Sequence, residues 1–152
     1  MKLSALGVLL LMSCAASQNS QPPAGPWSVQ VTTSGGITGR GNGSWAIASD
    51  GKVAVTSMSG KSCAFDATAE QRARFGSLLA NARPDTWSAS YAPENRCCDR
   101  IEYTMTIEES GKQRKVEWID DPLPMPRDLS AIVNAVTGVP SLRTEYGDKC
   151  AG

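Results

Sequence analysis

The chain contains no histidine among its 152 residues, so it lacks the side chain whose ordinary pKa lies nearest to neutral pH. Without histidine, neither a Ser-His-Asp nor a Cys-His nucleophilic arrangement can be built. The adjacent carboxylates Glu108–Glu109 and Asp120–Asp121 are predicted at strand ends, where successive side chains point to opposite faces and cannot easily flank one scissile bond. We therefore expect a domain that is not an enzyme.

Patterns that bind metals or nucleotides are also missing. No C-x-x-C pair is present, and the cysteines are poorly spaced for a tetrahedral zinc site. The glycine-rich stretch from Gly35 to Gly43 precedes a predicted strand, whereas a nucleotide-binding loop needs a helix after its glycines. We expect no metal ion and no cofactor.

The chain has neither an excess of one charge nor a long apolar run. Its 15 basic and 15 acidic residues balance, so it offers no sequence-independent attraction to nucleic acid or to anionic lipid headgroups. The apolar stretch from Leu3 to Met12 has ten residues, whereas a helix that spans a bilayer needs about 20. This stretch has the length of a signal-peptide core.

The four residues at the end of this stretch and directly after it carry the strongest signal in the chain. The run Leu11-Met12-Ser13-Cys14, with Lys2 near the N-terminus, resembles the lipobox of bacterial lipoproteins. The resemblance implies that residues 1–13 are a lipoprotein signal peptide and that Cys14 becomes the lipid-bearing (palmitate) first residue of the mature protein. Cleavage by an ordinary signal peptidase near Ala16 or Ser17 is the alternative.

Lipidation implies a location in the bacterial cell envelope. The mature chain would be anchored to the membrane by its lipid and would face the periplasm. Ala15 rather than aspartate after the lipid cysteine implies the outer membrane in preference to the inner one. The alternative cleavage gives a soluble periplasmic or secreted protein.

Composition divides the mature chain into a tether and one domain. Residues 14–26 are small, polar and rich in proline, a composition that cannot bury enough apolar surface to fold. Residues 27–152 are long enough for a single domain with a core of its own.

The domain contains four cysteines, which in an exported protein indicates two disulfides with three possible connectivities. They are Cys63, Cys97, Cys98 and Cys150. A bridge between the adjacent Cys97 and Cys98 would close a strained eight-membered ring. We therefore expect these two cysteines to have different partners, with Cys63 bound to one and Cys150 to the other.

Hydrophobic periodicity predicts an α+β fold. Alternating apolar residues, with turns at Asp50-Gly51 and Ser110-Gly111, predict five strands. Their inward positions are Trp27, Val29 and Val31; Trp45 and Ile47; Val53 and Val55; Ile101, Tyr103, Met105 and Ile107; and Val116 and Trp118.

Helical spacing predicts one helix that starts with a Thr68–Gln71 capping box and ends before Pro84, and a second that contains Leu129 and ends at Gly138. The predicted order is βββαββα, an antiparallel sheet of about five strands with two helices on one face.

This order of motifs resembles the emfourin family. The resemblance covers about residues 30–137 and rests on the glycine-rich run that begins Ser34-Gly35-Gly36, the Asp50-Gly51 hairpin, the first helix, the strand Tyr103–Ile107 and a proline before Leu129. Emfourins of known activity are small α+β inhibitors of thermolysin-like zinc metalloproteases. The resemblance therefore implies a metalloprotease as the protein partner.

One apolar side chain, Ile37, lies in the glycine-rich run, and loops on a rigid scaffold commonly carry binding function. We therefore expect Ile37 to contact the partner. Two functions follow from the sequence: a membrane-tethered inhibitor of a metalloprotease, or a structural or assembly partner of another envelope protein with no protease target.

Overall fold

A computed structural model describes residues 23, 25–36, 42–95, 99–138 and 140–151, and in these ranges six strands form one antiparallel sheet. The order across the sheet is β4-β3-β2-β1-β5-β6, so β1 lies near the centre and pairs with both β2 and β5. The strands are β1 (Trp27–Gly35), β2 (Gly43–Ala48), β3 (Lys52–Thr56), β4 (Ser62–Asp66), β5 (Ile101–Glu109) and β6 (Lys112–Ile119).

Three helices cover one face of this sheet. They are α1 (Ala69–Ala80), α2 (Arg127–Thr137) and α3 (Leu142–Ala151), and a short 3₁₀ turn spans Pro84–Thr86. Phe75 of α1 stacks on Trp27 of β1, α3 contacts β2, β3 and β4, and α2 packs between α1 and α3. The α+β class and the antiparallel sheet under helices are therefore confirmed.

Two elements of the fold were absent from the predicted order βββαββα. The structure has six strands rather than five, because Ser62–Asp66 forms β4 beside β3, and it has a further helix, α3. In β4 the inward residues are Cys63 and Phe65, and the outward residues include alanine and aspartate, which strands disfavour. The strand therefore gave only a weak signal in the sequence.

The inward side chains of the six strands lie side by side because the register is continuous across the sheet. One row contains Cys63, Val55, Trp45, Val31, Met105 and Val116. The predicted inward phase of Trp27, Trp45 and Trp118 is confirmed, since all three are buried. All buried core residues lie between Trp27 and Cys150, so residues 27–152 contain the complete core that the structure describes.

The predicted ends of α1 and α2 are confirmed. Thr68 and Gln71 form a capping box, in which the Gln71 backbone N–H donates to Thr68 Oγ1 at 3.1 Å and the Thr68 N–H donates to Gln71 Oε1 at 2.8 Å. The α2 helix ends at Gly138, whose N–H donates to the Asn134 carbonyl.

Different segments of the chain lie at the two ends of the sheet. At the tether end, which we define as residues 25–26 and 109–111, the Ser110 N–H donates to the Pro26 carbonyl at 2.9 Å. The opposite end, here called the loop end, comprises residue 36, residues 42–43 and the β3–β4 turn, residues 57–61. The nine residues of β1 separate the two ends by about 30 Å.

Candidate binding site at the loop end

Several predicted site residues lie outside the described residues. These are Cys14, Ile37, Cys97 and Cys98. Gly36 and Asn42, which flank the segment that contains Ile37, are described and lie at the loop end. The lipidation of Cys14 and the partner-binding role of Ile37 stay predictions.

The other two cysteines form a disulfide with each other, and this corrects the predicted pairing. Cys63 and Cys150 are joined at an S–S distance of 2.03 Å, with their Cα atoms 5.8 Å apart. We predicted that each would pair with one of the adjacent cysteines. The prediction was wrong because it lacked the two elements that bring these residues together: β4 holds Cys63 on the inner face, and α3 places Cys150 over it.

The chain leaves β1 at a position that requires glycine. Gly35 has a φ of 95°, and a Cβ atom there would lie 2.5 Å from the Arg100 carbonyl oxygen. Any other residue would meet both the unfavourable backbone conformation and this contact. The sequence Gly35-Gly36 therefore fixes where the chain departs from the sheet toward the segment that contains Ile37.

The β3–β4 turn is held by its own hydrogen bonds. The Ser57 N–H donates to the Lys61 carbonyl at 2.8 Å, the Gly60 N–H donates to the Ser57 carbonyl at 2.9 Å, and the Ser57 and Ser59 hydroxyls are 2.8 Å apart. Met58 lies between these residues and is 40% exposed. A defined turn thus presents a large apolar side chain to solvent.

A cavity of about 430 Å³ lies between this turn and the end of the β1–β2 connection. Its lining includes Asn42 and Gly43 from the connection and Ser57, Met58 and Gly60 from the turn. The two segments therefore share one surface. Asn42 is the first described residue after the segment that contains Ile37, so the described end of this connection lies beside Met58.

A second cavity, of about 360 Å³, lies on the helix side of the same turn. We call it the indole cavity. It is lined by Trp45, Ser57, Met58, Ser59, Arg143, Gly147 and Asp148.

Trp45 and Arg143 contact each other in the wall of the indole cavity. The guanidinium carbon of Arg143 lies 5.5 Å from the centre of the Trp45 ring, within the range of a cation–π contact. Trp45 is 3% exposed, and its Nε1 atom has no hydrogen-bond partner among the described residues. A buried donor without an acceptor is uncommon and costs about 1–3 kcal/mol.

Sequence reasoning missed most of these residues. Trp45 was predicted only as a core residue, Met58 stands alone in a polar turn, and Arg143 and Gly147 belong to the unpredicted α3. The helix has a detectable signal, because Leu142, Tyr146 and Cys150 are buried at a spacing of four.

The described residues contain neither a metal-ligand cluster nor a helix suited to a membrane. None of them forms a group of three or more potential metal ligands. No helix in the described ranges is long and apolar enough to cross a membrane. The carboxylate pairs lie at strand ends as predicted, since β5 ends at Glu109 and β6 ends at Ile119.

The comparisons with known proteins identify no family for this chain. No family model matches it, and neither a curated protein nor a solved structure matches it. The resemblance to emfourins and to bacterial lipoproteins therefore stays a prediction from the residues quoted above.

Proposed function

We propose that this chain is a lipid-anchored protein of the bacterial cell envelope whose domain binds another protein without catalysing a reaction. The observation that supports this most is the loop end, where the exposed Met58 shares a cavity with Asn42, the described residue that follows the segment containing Ile37. Apolar side chains on a fixed turn are typical anchors of protein interfaces.

The scaffold beneath this surface favours tight binding. The Cys63–Cys150 disulfide ties α3 to β4 immediately after the β3–β4 turn. A surface that is already ordered loses less conformational entropy when it binds. Met58, on the turn next to this bond, would therefore engage a partner at low entropic cost.

The position of the tether is consistent with this role. Pro26 joins the domain at the tether end, about 30 Å from the loop end along β1. A chain anchored through Cys14 would be attached at the end of the sheet opposite to the loop end. The proposed binding surface would thus be open to partners in the periplasm.

For the partner, we propose a thermolysin-like zinc metalloprotease, on the resemblance to emfourins. Zinc endopeptidases of this kind bind an apolar side chain beside the metal, and we assign Ile37 to that pocket, with Met58 as a neighbouring contact. The alternative is a structural or assembly role with another envelope protein, which would use the same surface without blocking a protease.

An inhibition assay tests the proposal. The soluble domain, residues 27–152, is titrated against a thermolysin-like protease, and each of Ile37→Ala, Met58→Ala and Leu123→Ala is compared with it. Leu123 is the matched control, because it is 47% exposed but lies in the connection after β6.

We expect inhibition by the unmodified domain, roughly tenfold weaker inhibition by Ile37→Ala, a smaller loss for Met58→Ala and no change for Leu123→Ala. Melting temperatures should be nearly equal for all four proteins. Absence of inhibition at micromolar concentration would contradict the proposed protease partner and favour the assembly role. Inhibition that is insensitive to Ile37→Ala would support the inhibitory function but contradict the assignment of Ile37 as the main contact.

A further inference from the structure

The two edges of the sheet differ in what covers them. At the β6 edge, the Tyr91 N–H donates to the Glu117 carbonyl at 2.8 Å, and the Glu117 N–H donates to the Ala89 carbonyl at 2.9 Å. At the β4 edge, no strand or bridge of the described residues pairs with β4 on the side away from β3. An edge strand without cover is a template for another strand.

The ladder between β3 and β4 shows which backbone groups face this open edge. Its two ends are marked by backbone hydrogen bonds from the Ala67 N–H to the Gly51 carbonyl and from the Ser57 N–H to the Lys61 carbonyl, both at 2.8 Å. Bonded and non-bonded pairs alternate in an antiparallel ladder, so the odd-numbered residues of β4 bond to β3. The even-numbered residues direct their N–H and C=O groups to the open edge: Ser62, Ala64 and Asp66.

These edge groups are accessible to another chain. All three residues are exposed, and no described residue forms a backbone hydrogen bond with them from the open side. The Tyr146 hydroxyl makes a long hydrogen bond, of 3.4 Å, to the Asp66 carbonyl. The strand contains no proline, lysine or bulge, which are the features that commonly block an edge.

The inner face of β4 is also incompletely covered. Cys63 and Phe65 are half-buried, whereas Val53 and Val55, the inward residues of β3, are each 1% exposed. Apolar surface therefore remains exposed along the edge strand. A neighbouring strand would remove it from water.

We propose that β4 pairs with β4 of a second copy of this chain, antiparallel and centred on Ala64. The two six-stranded sheets would then continue into each other across the two β4 strands. In this register the edge-facing groups of one copy meet those of the other, because even-numbered residues lie opposite even-numbered residues.

The sequence of β4 is complementary to itself in this arrangement. Ala64 lies opposite Ala64 of the second copy, Ser62 opposite Asp66, and Cys63 opposite Phe65. No charge meets a like charge, and the Ser62 hydroxyl can donate to the Asp66 carboxylate across the pair. Parallel pairing in register would instead place the two Asp66 carboxylates side by side, which is destabilising.

The contact is small, so we expect a weak dimer. Pairing of two five-residue strands forms about six backbone hydrogen bonds and covers less area than a stable interface. We expect a Kd of about 0.1–1 mM in solution. Attachment to one membrane through Cys14, as proposed above, would raise the effective concentration of the copies. The pairing itself rests neither on the anchor nor on a protease partner.

Sedimentation equilibrium of the mature chain without its lipid, residues 15–152, measures the association at about 0.02–2 mM. Ala64→Pro is the main variant, because it removes an N–H that β3 does not use and proline is tolerated at such edge positions. We expect the average mass of the original chain to rise with concentration. Ala64→Pro should weaken the association at least about tenfold and change the melting temperature by only a few degrees.

A pair of lysine variants provides a matched control. Ala64→Lys would put two lysines opposite each other in the dimer and should also weaken it at least about tenfold. Ala54 lies beside Ala64 in register and is equally exposed, but it is one strand away from the edge. Ala54→Lys should therefore associate like the original chain. If Ala64→Pro does not fold, the lysine pair decides.

Amide hydrogen exchange, followed by NMR, identifies the strand that pairs. The amides of Ser62, Ala64 and Asp66 should become protected as the concentration rises, because they gain acceptors in the dimer. The amides of Cys63 and Phe65 should be protected at every concentration, because they already bond to β3.

A chain that stays monomeric at about 2 mM would overturn the proposal and leave this edge to an extended segment of another protein. A dimer that is insensitive to both Ala64 variants, or that lacks the alternating protection, would lie elsewhere on the surface and would also overturn it. The assay contains no protease, so its failure leaves the inhibition proposal standing. Failure of the inhibition assay likewise leaves this pairing standing.

Discussion

Asp128 joins the segment after α1 to the start of α2. Its carboxylate accepts hydrogen bonds from the Arg83 backbone N–H at 2.8 Å and from Trp87 Nε1 at 3.1 Å. Burial acts to raise the pKa of Asp128, but these bonds and those from the backbone of α2 outweigh it and hold the pKa below its ordinary value. The ionised form is therefore the one that stabilises the fold.

Replacement of Asp128 by alanine should lower the free energy of unfolding by about 1–3 kcal/mol at neutral pH, because it leaves the Arg83 N–H and the Trp87 indole without their acceptor. Urea denaturation measures the change. Asp121→Ala, at an exposed position, is the control and should alter stability by less than about 0.5 kcal/mol.

The loss of stability caused by Asp128→Ala should depend on pH. Since the pKa of Asp128 is lower in the folded state, its contribution is complete above the ordinary carboxyl pKa of about 3.9 and is lost as the pH falls through the folded-state pKa. The difference between the original protein and Asp128→Ala should shrink in acid. A difference that stays constant from pH 7 down to about pH 3 would contradict this assignment.

At the scale of elements, the predictable parts of the fold are those with strong local signals. Alternation in β1, the Asp50-Gly51 turn and the Thr68–Gln71 capping box each specify their structure within a few residues. In β4 and α3, by contrast, tertiary contacts determine the structure. Phe65 packs against Tyr146 at 5.1 Å between ring centres, and Cys63 is bonded to Cys150.

The candidate site was hard to predict for the same reason. Its residues come from β2, the β3–β4 turn and α3, and no local pattern connects these segments. Tyr146, whose hydroxyl lies 2.8 Å from Gln71 Oε1, also depends on a partner 75 residues away. The sequence could indicate single members, such as the buried Trp45, but not the cavity that they form together.

Peptide mapping tests the disulfide that fixes α3 to β4. Trypsin cleaves after lysine and arginine, so it separates Cys63 (residues 62–72), the Cys97–Cys98 pair (97–100) and Cys150 (150–152). Without reduction, we expect peptide 62–72 to be joined to peptide 150–152, with no free thiol at Cys63 or Cys150. A link from peptide 97–100 to either of the others would contradict the structure.

Loss of the Cys63–Cys150 bond should lower the stability of the domain strongly. It spans 87 residues, for which the chain-entropy model gives about 4–5 kcal/mol. The double variant Cys63→Ala/Cys150→Ala should therefore melt roughly 10–20 °C below the original domain. Cys97→Ala/Cys98→Ala, assayed in the same way, shows how much of any loss is specific to the Cys63–Cys150 bond.

At the scale of the whole molecule, the N-terminal entry to the sheet and the candidate binding surface lie at opposite ends. Pro26, which precedes β1, lies beside the β5–β6 turn, and both cavities that contain Met58 lie at the other end of the sheet. This arrangement follows from β1, which runs the full length of the sheet from Trp27 to Gly35. An anchor at Cys14 and a binding surface at the loop end would therefore operate without obstructing each other.

The anchor itself can be tested in cells through the Leu11–Cys14 motif. We expect labelled palmitate to enter the original protein and not the Cys14→Ser variant, which should be left uncleaved or cleaved at another residue. Each buried CH₂ group of an acyl chain contributes about 0.8 kcal/mol, so a multiply acylated protein should resist salt washing and dissolve only in detergent. Cys97→Ser is a suitable control, because it removes a cysteine without touching the motif or the Cys63–Cys150 bond. A mature N-terminus near Ala16 or Ser17, with the protein released by salt, would instead establish an unlipidated exported domain.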